Sequence, residues 1–149
     1  MMIELRVIES VDELIAWRTE VIANVFGKKP DEALLEANRR YYEKHLPDGS
    51  HVAVVASRDG TDCGCGGVCF SDELPSPDNP VGRCAYLMNI YVREGYRNEG
   101  IAHSIVTHLI EIARQRNCGK IFLETTADGR PVYYSLGFRD MPDMLKLWN

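Results

Sequence analysis

The stretch from Tyr86 to Arg116 constrains the fold of this 149-residue chain most. An apolar run, Tyr86 to Val92 (YLMNIYV), reads as a strand. A turn with Gly95 and Gly100 follows, and then Ile101 to Arg116 reads as a helix. Ile101, Ile105, Leu109 and Ile112 form one stripe of that helix, with Val106, Ile110 and Ala113 beside it. Lys120 to Thr125 (KIFLET) is again a strand. Strand, helix and strand in that order call for a crossover onto a sheet.

The remaining elements fill in around that unit. Ile3 to Ile8 alternates with period two. Ser10-Val-Asp-Glu13 has the form of a capping box and starts a helix that runs through Leu14, Trp17, Val21 and Val25 to Phe26, where Gly27 ends it. Pro30-Asp31-Glu32 opens a second helix that continues to about His45. His51 to Ser57 and Cys63 to Phe70 form a hairpin about Asp59-Gly60. Ser71 to Gly82, with three prolines, is a loop. A short helix is expected around Pro131 to Leu136 and an extended piece from Met144 to Trp148. This is one α+β domain over residues 1–149, an α/β sandwich. Its mixed, mostly antiparallel central sheet has about six or seven strands, flanked by about four helices.

Composition excludes several function classes. A formal net charge of -5 argues against a broad nucleic-acid surface, because phosphate backbones are held by clustered Lys and Arg. No apolar run approaches a membrane span or a signal peptide. Five cysteines (Cys63, Cys65, Cys69, Cys84, Cys118) at irregular spacing point to reduced thiols and a cytoplasmic setting. Cys63, Cys65 and Cys69 share one side of their strand if its alternation is unbroken. C-x-C-x3-C is not a usual structural zinc spacing, so no metal is expected.

The turn Arg93-Glu-Gly-Tyr-Arg-Asn-Glu-Gly-Ile-Ala102 carries the chemistry. The first turn of a helix leaves amide N–H groups without partners at the positive end of its dipole, and a phosphate satisfies both. Gly100 and Ala102 keep the approach clear, and Arg97 adds a full charge. The same glycines also serve a tight turn with solvated arginines, and Glu99 lowers the affinity expected for an anion. There is no G-x-x-x-x-G-K-[ST], and Cys63-Gly-Cys-Gly-Gly67 does not open a helix, which disfavours ATP and dinucleotide folds.

Arg97-x-x-Gly100-x-Ala102 after one strand, and Tyr133-x-x-x-Gly137-Phe138 after the next, together resemble the GNAT superfamily of N-acetyltransferases. The resemblance covers nearly the whole chain and is most specific from Tyr86 to Phe138. It implies acetyl-CoA as cosubstrate. The amides of Arg97, Asn98, Glu99, Gly100, Ile101 and Ala102 would hold the pyrophosphate, and the backbone of Ile90, Tyr91 and Val92 would pair with the pantetheine arm like an added strand. Thr126 stands where many members carry Asn and is taken as a further cofactor contact. Tyr133 matches the tyrosine that protonates, or hydrogen-bonds to, the departing thiolate, and the neighbouring Tyr134 is expected to pack under the final helix.

The implied reaction is transfer of an acetyl group to a primary amine by direct attack, with no acyl-enzyme. Glu124, Asp72 and Glu73 are the candidates for the base, and Tyr86 occupies the place of a strand glutamate used by some members. The acceptor side is shaped by Trp17, Arg18, Tyr41, Tyr42 and Asp72 to Asn79. The acceptor is a small-molecule or peptide amine, and the acidic chain favours a cationic one. A homodimer is compatible with this reading. A noncatalytic acyl-CoA-binding module is the alternative, and retention of Tyr133 argues for the enzyme. His45, His51, His103 and His108 suggest no specific role.

Overall fold

The computed structural model describes residues 1–149. In chain order it contains β1 (Ile3–Val7), α1 (Val11–Val25), α2 (Glu32–His45), β2 (His51–Arg58), β3 (Thr61–Asp72) and β4 (Arg83–Val92). These are followed by α3 (Ile101–Gln115), β5 (Lys120–Leu123), a 3-10 turn at Ala127–Gly129, and α4 (Arg130–Ser135). The five strands lie in sequence order in one sheet. Every pairing is antiparallel except β4 with β5, which α3 joins as a parallel crossover.

Local chemistry explains the helix starts. The Glu13 N–H donates to Ser10 Oγ (3.2 Å), and the Leu34 N–H donates to Asp31 Oδ1 (2.8 Å), so both helices are capped by the side chain preceding them. The Glu13 carboxylate turns to Arg6 rather than back to the cap, leaving the capping box half closed.

Two cores sandwich the sheet. On one face α3 lays Ile101, Ile105, Val106 and Leu109 against Val54, Val68, Ala85 and Leu87. Glycines permit that approach: a Cβ on Gly66 would stand 2.5 Å from Ile105 Cγ2. The Cys63-Gly-Cys-Gly-Gly67 run is therefore a seat for α3. On the other face α1 and α2 cover Ala53, Val55, Cys65 and Tyr91 with Leu14, Trp17, Val21 and Tyr42.

The structure departs from expectation in four places. A bulge shifts the β2–β3 register, so that Cys63 faces α3 while Cys65 faces α1; the cysteines do not share a side. The loop expected to begin at Ser71 begins after Asp72. Tyr134 is half-exposed, its hydroxyl donating to Asp140 Oδ1 (2.5 Å); Tyr133 is the tyrosine that packs inward, against Phe138. Finally, there are five strands rather than six or seven, because Met144 to Trp148 pairs with nothing and stays exposed. No helix is long and apolar enough to cross a membrane, and no cluster of three or more His, Cys, Asp or Glu is arranged to hold a metal ion.

Candidate active site

The site is built where β4 and β5 part. Their pairing runs only from Cys84 with Lys120 to Leu87 with Leu123, yet β4 continues to Val92. A β-bulge opposite Gly66 accompanies the split, and in it Asn89 takes a left-handed φ of 57°. Such a conformation is rare for a non-glycine residue in a strand and turns the chain out of the ladder. The outer backbone edge of Ile90, Tyr91 and Val92 is left without a strand partner. The Tyr91 side chain is buried against α1 and its carbonyl oxygen lies on the β3 side, 2.7 Å from where a Cβ on Gly64 would stand, so the outer edge is presented by Ile90 and Val92.

Beyond Val92 the turn winds tightly. Gly95, Asn98 and Gly100 all have positive φ. Gly100 occupies the N-cap of α3 without a side-chain cap, and a Cβ built there meets nothing within 4 Å. The first intrahelical bond is Ser104 N–H to Gly100 O (3.0 Å), leaving the amides of Ile101, Ala102 and His103 ahead of it. The Ile101 side chain is buried in the core, so this residue presents only its amide.

The charges around this turn are sorted. Arg97 Nε donates to Val92 O (2.9 Å), which holds the guanidinium at the end of the open edge. Glu99 pairs with Arg58, whose guanidinium stacks 4.3 Å over the Tyr96 ring, so the carboxylate is neutralised by the sheet. Arg93 is taken by Glu20 (2.8 Å) and lies over Trp17, away from the helix start. Of the two arginines in the turn, only Arg97 is free of a carboxylate.

Across the split, Tyr133 of α4 and Tyr86 of β4 line one groove with Glu124 and Thr125. Burial pushes the Tyr133 phenol above its ordinary value, and no protein group hydrogen-bonds its hydroxyl. Burial, with the facing Glu124 carboxylate second, pushes Tyr86 up to about 12. Of the three candidate bases, Glu124 alone faces this groove; Glu73 is tied to Lys120 (3.2 Å) and Asn79 (3.1 Å). Thr126 is exposed at the start of the 3-10 turn.

On the acceptor side, Trp17 and Tyr42 are core residues, and the Tyr41 hydroxyl meets His51 Nδ1 (3.0 Å). Arg18 remains. Its Nη1 donates to Asn89 Oδ1 (2.8 Å) and its Nε to Asn38 Oδ1 (3.1 Å), so a guanidinium with no carboxylate partner is aimed at the bulge. Asn38 and Asn89 went unnoticed in the sequence, although Asn89 is the one polar residue in the apolar run YLMNIYV. His51 suggested no specific role in the sequence, yet it is a core residue. It is 2% exposed, and burial lowers it to about 4.

The split sheet and the open helix start define an α+β protein with a cleft built between two parallel strands. The chain belongs to the acetyltransferase (GNAT) family, whose family model matches residues 11–138. Its fold is that of a predicted acetyltransferase from Clostridium acetobutylicum solved with acetyl-CoA. The TM-score is 0.88 at 28% identity, over 98% of this chain and 96% of that one. Two curated relatives match over shorter stretches. A glucosamine 6-phosphate N-acetyltransferase of Trypanosoma brucei brucei is 29% identical over 62 residues, 42% of each chain. A thialysine N-epsilon-acetyltransferase of Sus scrofa is 28% identical over 91 residues, 47% of this chain and 54% of that one. The chain thus spans about half the length of the curated relatives it matches.

Proposed function

We propose that the protein transfers the acetyl group of acetyl-CoA to a small primary amine by direct attack. The observation that carries this reading is the split between β4 and β5, with an unpartnered tyrosine hydroxyl and a carboxylate in the groove beside it. The residues fit the cosubstrate. The strand edge at Ile90 and Val92, where the Val92 carbonyl accepts from Arg97, suits the amides of a pantetheine arm. The amides of Arg97 to Ala102, beside the Arg97 guanidinium, suit a pyrophosphate.

The cosubstrate supplies an activated thioester; the chain must manage two protons. An amine with a solution pKa of about 10.4 is neutral in only about one molecule in a few thousand at pH 7, a cost of roughly 4 to 5 kcal/mol. Glu124 receives that proton, directly or through water. At the other end, Tyr133 faces the departing thiolate. A thiol pKa of about 8.5 against about 10 for tyrosine already makes proton transfer uphill by about 2 kcal/mol. Burial raises the Tyr133 phenol further, so Tyr133 acts by donating a hydrogen bond rather than by giving up its proton.

The acceptor carries an anionic group as well as its amine. Overall acidity favours a cation, but a local charge decides recognition at short range, and Arg18 presents an uncompensated guanidinium beside the bulge. The phosphate in the name of the trypanosomal relative's substrate agrees with this preference.

Thiol release from acetyl-CoA with a panel of amino sugars, amino-sugar phosphates and amino acids tests the reading. Tyr133→Phe should lower kcat about 100-fold and leave the acetyl-CoA Kd within about twofold. Equal kcat in the two proteins would remove Tyr133 from the reaction. Acetyl-CoA binding without thiol release across the panel would favour a noncatalytic acyl-CoA-binding module.

A further inference from the structure

Glu99 does not do what a carboxylate in its place is drawn to do. It directly precedes Gly100, the N-cap of α3, and the free amides and positive dipole of a helix start attract an anion. Yet that start has no side-chain cap. The carboxylate turns the other way, to Arg58 at the end of β2. The partners lie 41 positions apart in the chain, and their side chains are only 26% and 32% exposed, so water screens the pair incompletely.

We infer that Arg58 is a positioning residue for acetyl-CoA: it withholds the Glu99 carboxylate from the start of α3 and keeps those amides open to the diphosphate. Strand alternation aims it. Val54 and Ala56 of β2 lie in the core beneath α3, and Arg58, two residues on, points to the same side. In the sheet order β2 stands two strands, or about 10 Å, from β4. The side chain crosses β3 where its residues are small: Gly64 pairs with Val92, and the Cys63 carbonyl accepts from the Arg93 N–H (2.8 Å). Tyr96 completes the clamp. Its ring packs against the same core, with the Arg58 guanidinium 4.3 Å above it. A guanidinium stacks on a ring and still donates in its own plane, which an ammonium does not. Arg97, bonded to the Val92 carbonyl, keeps its charge for the ligand.

Without Arg58 the Glu99 carboxylate has two outlets, and both oppose the cosubstrate. It caps α3 and takes the amides that the diphosphate needs, or it stands unpaired beside them and repels the diphosphate. This role rests on the reading that the turn holds the diphosphate, so the test separates the two.

The test is calorimetric titration into the wild type, Arg58→Met, Glu99→Gln and the double variant. The ligands are acetyl-CoA and acetylpantetheine, which has the same thioester and no phosphate. Methionine keeps an unbranched apolar stem over Tyr96. Arg58→Met should weaken acetyl-CoA about 10-fold and leave acetylpantetheine within about twofold. Glu99→Gln alone should bind acetyl-CoA no more weakly than the wild type. The double variant should return to within about threefold of the wild type, a rescue that a merely structural Arg58 would not give. Arg58→Met binding acetyl-CoA like the wild type would overturn the inference. So would a double variant no better than Arg58→Met, or an equal loss on acetylpantetheine. A wild type that binds the two ligands equally would instead remove the diphosphate from the turn, and the role of Arg58 with it.

Discussion

The two faces of the sheet are put to different uses. Under α3 the face is apolar throughout, and its close approach is set by glycines: Ile105 and Leu109 fit because Gly66 has no side chain. Under α1 and α2 the face also buries polar groups. His51 sits beneath Tyr41, Cys65 donates to Asn89 O (3.4 Å), and Arg18 reaches the bulge. Burial pushes the Cys65 thiol up to about 12, so it remains a neutral donor. One face fixes where β4 lies, and the other fixes what meets its open edge. Changes on the α3 face should cost stability first, whereas changes on the α1 and α2 face should show in pH dependence and in substrate recognition.

Gly66→Val should have the largest effect. The new side chain collides with Ile105 and Leu109, α3 must lift, and unfolding in urea should show a loss of about 3 kcal/mol. The His51 effect is of similar size but depends on pH. The unfolded imidazole binds a proton near pH 6.5, and the folded one only near about 4. Stability is therefore unaffected by this group above pH 6.5 and falls as the pH drops from 6.5 to 4, by up to about 3 kcal/mol. His51→Gln should flatten that decline, and urea titrations at several pH values would show it. Smaller again, Arg18→Met should raise the acceptor KM about 10-fold with little change in acetyl-CoA affinity; an unchanged KM would remove the anionic group from the acceptor.

The α3 face was the more legible of the two in the sequence. The stripe of Ile101, Ile105 and Leu109 announces its helix because burial on one side enforces a helical period, and Arg97, Gly100 and Ala102 sit where that helix must start. The other face depends on tertiary contacts that local pattern does not carry. Nothing adjacent to His51 says that Tyr41 will cover it, and nothing near Trp17 separates a core ring from a substrate contact. A bulge at Cys63 breaks the alternation on which the cysteine reading rested. The tail read as extended from its apolar residues, but it joins no strand of the sheet and stays exposed, because pairing depends on tertiary neighbours that apolar residues alone do not name.

The central claim is that the turn from Arg97 to Ala102 holds the diphosphate of acetyl-CoA. Calorimetric titration of acetyl-CoA into the wild type and into Gly100→Val measures this directly. Valine at a φ of 82° both strains the turn and fills its open approach. The account predicts a Kd on the order of micromolar for the wild type, weakened at least about 100-fold in the variant while its fold is retained. Equal affinities would place the cosubstrate elsewhere, and no heat at millimolar acetyl-CoA would contradict the account altogether.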